Sequence, residues 1–159
     1  MSAERPAFRP ELEGLRGVAI LLVVLFHAGV GAFGGGFVGV DVFFVLSGFF
    51  ITGLLVRELE SAGSVDVTGF YARRALRLLP ALLVVVLCTL GVVMWLYAPI
   101  DRAQIAGNAR AVALYGGNIE FARTATDYFG SGDNPLLHTW SLAVEEQFYI
   151  VWPLLFVVA

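Results

Sequence analysis

Long stretches of this sequence carry almost no charge, which leaves few environments in which the chain can fold. Between Gly17 and Val56 the only charged residue is Asp41, and residues 78–100 and 147–159 have none. A helix that crosses a bilayer needs about 20 predominantly apolar residues. Four stretches meet or approach this length: residues 15–33, 38–56, 79–98 and 143–159. We therefore predict an all-α polytopic transmembrane helix bundle with three complete spans and a truncated fourth.

The composition excludes several other classes of protein. Charged residues make up 14% of the 159 residues and apolar residues 58%, the opposite of the balance that produces intrinsic disorder. The net charge of −3 argues against a nucleic-acid partner. Cys88 is the only cysteine, which excludes an internal disulfide and a cysteine-rich zinc site. We expect no bound metal ion.

The basic residues are all arginines, and they are unevenly distributed along the chain. Seven of the ten precede or open the first span or lie between the second and third spans, at Arg5, Arg9, Arg16, Arg57, Arg73, Arg74 and Arg77. The other three, Arg102, Arg110 and Arg123, are spread over residues 99–139, and the glycine-rich turn 34–37 has none. By the positive-inside rule the N-terminus and residues 57–77 are cytoplasmic, and residues 99–139 form an outer segment of a protein in the inner or plasma membrane. We expect an interfacial helix at 103–115 and a polar loop through 130–135, with a membrane pass at 103–122 as the alternative.

Two titratable side chains occur in the first span. Arg16 and His27 are eleven residues apart, so at about 100° per residue they share one helix face. The rise of about 1.5 Å per residue separates them by about 16 Å. A neutral imidazole accepts a proton near neutral pH, which makes His27 a candidate catalytic base. The alternative is a packing histidine that bonds to a neighbouring backbone.

Asp41 opens the second span, at a depth similar to that of His27 in an antiparallel hairpin. A carboxylate there can bond the second imidazole nitrogen and fix the tautomer of the histidine. The alternative is a favourable acidic residue at a helix N-terminus. Gly48, farther along the same span, permits close approach of another helix.

Two further groups lie near the third and fourth spans. Arg74 and Arg77 are three residues apart and are neighbours on a helix, and the planar guanidinium suits phosphate. The alternative is a plain cytoplasmic anchor. Glu145 lies at the outer end of the fourth span and shares a face with Tyr149 and Trp152. It is a candidate site carboxylate, or else a solvated group beside an aromatic belt.

Four motifs occur in order along nearly the whole chain. They are LEGLRG at 12–17 with the Arg16/His27 pair, GVDVFFVLSGF at 39–49, RRALRLLP at 73–80, and HTWSLAVEEQFY at 138–149. In order and spacing they resemble the acyltransferase-3 family of integral membrane O-acyltransferases. The resemblance implies a larger helix bundle, of which residues 1–159 form the N-terminal portion.

The resemblance also implies an activity and its residues. An acyl group, often acetyl, would pass from acyl-CoA to a hydroxyl of a cell-envelope carbohydrate or glycolipid. His27 would be the catalytic histidine, with Asp41 and Glu145 as candidate catalytic carboxylates, and the acyl donor would be bound by Arg16, Arg74 and Arg77. No bound cofactor is implied, since acyl-CoA is a co-substrate, and the remaining partners would be the acceptor and the lipid bilayer.

A second class of function is a non-catalytic membrane bundle or a transporter-like fragment, because buried ionisable residues also form proton relays. The arginine segment favours the acyltransferase, since a transporter needs no phosphate clamp. Direct transfer with His27 as base and a two-step route through an acyl-histidine both fit the sequence. The sequence stops within an apolar run, and we expect these 159 residues alone to be inactive.

Overall fold

A computed structural model describes residues 9–124 and 134–158, and all regular secondary structure in these ranges is helical. The six α-helices are α1 (Pro10–His27), α2 (Gly39–Ala62), α3 (Val67–Leu96), α4 (Pro99–Ala113), α5 (Gly117–Arg123) and α6 (Trp140–Val158). Short 3-10 helices occur at Gly31–Phe33, Gly36–Val38 and Leu137–Thr139. Arg5 and the polar residues 130–133 lie outside the described residues. The chain divides into two compact units, the first ending at Val56 and the second beginning at Arg57.

In the first unit, α1 packs against the beginning of α2 through two glycines. Gly36 and Gly39 are so close to α1 that a Cβ on Gly39 would lie 2.5 Å from the carbonyl oxygen of Ala19. A Cβ on Gly36 would collide with the carbonyl oxygen of Leu22. Ala19, which faces this contact, is buried. The close approach predicted at Gly48 is not seen, since a Cβ there would meet nothing within 4 Å among the described residues.

The first helix is shorter than the apolar stretch that suggested it. It ends at His27, and Gly29 adopts a positive φ of 70° immediately afterwards. Glycine populates this left-handed conformation at no steric cost and is therefore common just past a helix end. The expected span at 15–33 is thus interrupted after His27, and the chain turns toward α2.

In the second unit, α3 is a single helix of 30 residues that begins twelve residues before the expected span at 79–98. The side chain of Asp66 starts it by accepting a hydrogen bond of 2.8 Å from the backbone N–H of Gly69. The helix continues through Pro80. Arginines and a proline interrupt the apolar pattern in the first half of α3. The apolar stretch therefore begins well after the first residue of the helix.

The segment after α3 folds back along it. Ile105, Ala109 and Val112 form one buried face of α4 and join a core with residues of α3, α5 and the chain before α6; the other members are Leu82, Val86, Val93, Phe121 and Leu136. The expected interfacial helix at 103–115 is therefore packed against α3. A continuous pass at 103–122 does not form, since α4 ends at Ala113 and Tyr115 has a φ of 53°.

Three helical stretches are long and apolar enough to cross a membrane: Gly36–Ala62, Val67–Leu96 and Leu137–Val158. α1 is not among them, because its 18 residues include three charges, Glu11, Glu13 and Arg16. The prediction of an all-α, multi-pass membrane protein is confirmed. These three helical stretches correspond to the second, third and fourth spans that the sequence predicts.

Candidate functional site

His27 is the last residue of α1, and its ring is tied to its own helix. Nδ1 lies 2.8 Å from the carbonyl oxygen of Val23, one turn earlier. A carbonyl oxygen only accepts hydrogen bonds, so Nδ1 carries the proton of the neutral ring and Nε2 keeps its lone pair. The His27 side chain is exposed within the first unit. This geometry leaves Nε2 suited to accept a proton.

The glycine contact lies beside the residue that holds His27. A Cβ on Gly39 would also come within 2.8 Å of the side chain of Val23. Val23 therefore packs directly against the start of α2 while its carbonyl oxygen bonds the imidazole. The packing of α1 on α2 thereby fixes the part of α1 that orients the histidine.

Asp41 and Arg16 take other positions in the first unit. Asp41 lies in the first turn of α2, where a carboxylate interacts favourably with the helix dipole. Within the described residues the structure gives its side chain no hydrogen bond or ion pair, so the tautomer of His27 is set by Val23 instead. Arg16 bonds Glu13 at 3.3 Å and lies over the ring of Phe50.

Arg74 in α3 makes the most extensive set of charged contacts in the second unit. Its Nη2 lies 3.3 Å from Oε1 of Glu146 in α6. Its guanidinium carbon lies 3.3 Å from the ring centre of Tyr149 and 5.7 Å from that of Phe70. The two charged side chains are largely buried, at 24% exposed for Arg74 and 11% for Glu146. Arg74 is therefore held between a carboxylate and an aromatic face.

Arg77 differs from Arg74 although it lies only one turn farther along α3. It is exposed, and within the described residues its guanidinium makes no hydrogen bond or ion pair. Arg73, on the opposite side of Arg74, is also exposed and lies 3.9 Å from Asp66. Of the two arginines that the sequence predicts to bind the donor, Arg74 is therefore paired with a carboxylate, whereas Arg77 is exposed.

Glu145 is the carboxylate that the sequence pattern favours, whereas Glu146 is the one that faces the interior of the second unit. The buried residues of α6 are Ala143, Glu146, Tyr149 and Pro153, and their spacing of three and four residues marks its inner face. Glu145 is beside this face and accepts a hydrogen bond of 2.5 Å from the hydroxyl of Tyr149. In the sequence, Glu146 lies three residues after Ala143 and three before Tyr149. This helical spacing of a small and an aromatic residue is the signal that could have identified Glu146 as facing inward.

A second polar network joins α6 to the turn between α4 and α5. The side-chain amide of Gln147 donates to the carbonyl oxygen of Tyr115 at 2.8 Å and to Oδ1 of Asn118 at 2.9 Å. Asn118 donates back to Gln147 at 3.1 Å. Burial raises the pKa of the Tyr115 phenol, Glu146 raises it further, and Arg74 opposes the shift. This phenol therefore stays protonated at neutral pH.

The ion pair between Arg74 and Glu146 places these two residues at the same depth, contrary to the depths expected from the sequence. The positive-inside rule predicts that Arg74 is in the cytoplasmic segment 57–77 and that Glu145, next to Glu146, is at the outer end of the fourth span. The structure joins Arg74 to Glu146, and the hydroxyl of Tyr71 donates to the carbonyl oxygen of Ile150 at 2.6 Å. α6 therefore runs antiparallel to the first half of α3, and the two charges lie at the same depth.

Comparison with known proteins gives a consistent result over nearly the whole chain. The family described as an acyltransferase domain matches residues 9–158. O-acetyltransferase OatA of Staphylococcus aureus strain NCTC 8325 / PS 47 is 38% identical over 150 residues, as is OatA of strain COL. The match covers 94% of this chain but 25% of the relatives, so the chain spans about a quarter of their length. No solved structure matches. With the histidine and arginine segments in place along the matched region, the chain belongs to the acyltransferase domain family.

Proposed function

We propose that this chain is the N-terminal portion of a membrane O-acyltransferase that moves an acetyl group from acetyl-CoA to a hydroxyl of a cell-envelope carbohydrate or glycolipid. The observation that carries the proposal is the hydrogen bond between Nδ1 of His27 and the carbonyl oxygen of Val23, because in the neutral ring it leaves the lone pair on Nε2. The relatives named O-acetyltransferase support the reaction class and the acetyl group. The exposed guanidinium of Arg77 supports an anionic donor.

In the proposed reaction, Nε2 of His27 takes the proton of the acceptor hydroxyl while the oxygen attacks the thioester carbonyl. The carbon–sulfur bond then breaks, and the CoA thiolate leaves and receives the proton from the imidazolium. General base catalysis of this kind contributes about 10²–10⁴-fold to the rate. The two-step route through an acyl-histidine uses the same unprotonated nitrogen as nucleophile.

We propose that the N-terminus and residues 57–77 face the cytoplasm, where acyl-CoA is found. The concentration of arginines in these segments supports this orientation. We propose that Asp41 and Glu145 act as site carboxylates. Asp41 lies near the end of α1 in sequence, and Glu145 is held by Tyr149.

The test is a His27→Ala variant of the full-length enzyme in membranes, assayed for release of free CoA with acetyl-CoA and a panel of glycan acceptors. We expect a loss of at least about 10²-fold in transfer, since the general base is removed. The protein should remain in the membrane, because one histidine contributes little to insertion. A variant that transfers acetyl at the wild-type rate would contradict the base assignment. Wild-type membranes without any acceptor-dependent release would favour a non-catalytic bundle.

A further inference from the structure

The two arginines of the R-x-x-R segment have different surroundings: Arg74 is paired and largely buried, whereas Arg77 is exposed. We infer that, of these two arginines, Arg77 supplies the cation for the anionic part of the acyl donor, whereas Arg74 is a positioning residue that is neutralised by Glu146. The inference rests on the proposed function. It assigns separate roles to residues that the sequence pattern treats as an equivalent pair.

Charge balance is the first argument. Arg74 and Glu146 are 3.3 Å apart and largely buried, so together they carry no net charge. Both side chains are largely buried within the protein, and a buried ionised group is costly unless it is paired. A phosphate that competed for Arg74 would have to leave the carboxylate of Glu146 buried and unpaired, which strongly disfavours the exchange.

Access is the second argument. The ring of Tyr149 covers one face of the Arg74 guanidinium at 3.3 Å, and Nη2 is engaged by Glu146. Nε of Arg74 is buried without a hydrogen-bond partner within the described residues. Nη2 belongs to both two-pronged edges of the guanidinium, so its bond to Glu146 competes with the bidentate contact by which arginine binds phosphate. Arg77 retains both edges and is exposed.

The position of Glu146 gives Arg74 a different task. The pair joins α3 to α6, and the Tyr71–Ile150 hydrogen bond joins the same helices one turn away. Arg77 lies three residues after Arg74 on α3, so a fixed α3 also fixes Arg77. Glu146 is therefore a positioning residue as well, acting through Arg74.

The experiment uses the full-length enzyme and two donors, acetyl-CoA and S-acetylpantetheine, which lacks the nucleotide phosphates. Arg77→Ala should raise the KM for acetyl-CoA by about 10- to 150-fold, the loss expected for a charge-assisted contact, and leave that for S-acetylpantetheine unchanged. Arg74→Ala and Glu146→Gln should change both KM values by the same factor, so that their ratio stays that of the wild type. Arg73→Ala is the matched control and should change neither value.

A charge exchange tests the pair without reference to the donor. Arg74→Glu and Glu146→Arg should each lower the thermal unfolding temperature, and the double variant should recover part of the loss because the opposite charges meet again. A phosphate-dependent loss in Arg74→Ala equal to that in Arg77→Ala would overturn the division of roles, as would a double variant without recovery. If the wild type does not prefer acetyl-CoA over S-acetylpantetheine, the donor in the proposed function is wrong, whereas recovery in the exchange would still support the Arg74–Glu146 pairing.

Discussion

At the scale of single residues, the environment of a side chain separates groups that look alike in the sequence. Glu145 and Glu146 are adjacent, yet Glu146 faces α3 and neutralises Arg74, whereas Glu145 receives the hydroxyl of Tyr149. Because α6 turns by about 100° per residue, only one of two neighbouring carboxylates can face a given helix. Tyr149 serves both, through its ring for Arg74 and its hydroxyl for Glu145.

This double role of Tyr149 is testable with two substitutions. Tyr149→Phe keeps an aromatic face under the guanidinium of Arg74 but removes the hydroxyl that donates to Glu145, so we expect the protein to be destabilised by about 0.5–1.5 kcal/mol. Tyr149→Leu removes that face and should destabilise the protein by about 0.5–2 kcal/mol more, the range of cation–π interactions. Thermal unfolding of the full-length protein in detergent measures the difference. Equal stability of the two variants would show that the stacked ring contributes nothing to holding Arg74.

At the scale of elements, the contact between α1 and the start of α2 depends on the absence of side chains at Gly36 and Gly39. Small residues let two helices approach closely where lipid supplies no hydrophobic driving force between them. The contact also bears on the chemistry, since Gly39 packs on Val23 and Val23 orients His27.

Gly39→Ala should therefore harm both stability and transfer. The added Cβ would lie 2.5 Å from the carbonyl oxygen of Ala19, so α1 must shift, at a cost of about 1–3 kcal/mol for overpacking. Gly48→Ala is the matched control: its Cβ meets nothing within 4 Å among the described residues, and alanine is the better helix former. Thermal unfolding and acetyl transfer of both variants should be measured. A Gly39→Ala enzyme as stable and active as Gly48→Ala would show that α1 is not held this way.

At the scale of the whole molecule, the long helices are poorly covered by the chain itself. Within an apolar 18-residue stretch of each spanning helix, only 17–22% is buried by the described chain. Lipid or further helices must cover the remaining helix surface. Polar side chains on that surface would carry a large free-energy cost if they faced hydrocarbon. The relatives, of which the chain covers 25%, are long enough to supply such helices.

We therefore predict that residues 1–159 expressed alone in membranes do not transfer acetyl. A site left open on one side neither excludes water nor orients two substrates. Release of free CoA from acetyl-CoA should equal that of membranes without the protein, with and without glycan acceptors, while the full-length enzyme gives acceptor-dependent release. Robust acceptor-dependent release from the short chain would mean that its first helices contain the complete catalytic centre.

The sequence was sufficient to predict the class of fold and the family. Uncharged stretches of about 20 residues have one stable environment, the bilayer, and there the backbone must satisfy its own hydrogen bonds as helix. The Arg16/His27 pair and the three later motifs were enough to indicate an acyltransferase, and the family match at residues 9–158 confirms it.

Only the tertiary structure decided which polar groups meet. Periodicity places Arg74 and Glu146 each on a helix face, but the depth at which α6 lies beside α3 depends on packing between residues 72 apart. The burial of Arg74 in the first half of α3 was likewise not predictable from the sequence, because the carboxylate that pairs with it is supplied by another helix. The hydrogen-bond partner of His27 is a local contact that no side-chain pattern reveals: the sequence points to Asp41, whereas the backbone carbonyl of Val23, one turn earlier in the same helix, accepts the hydrogen bond.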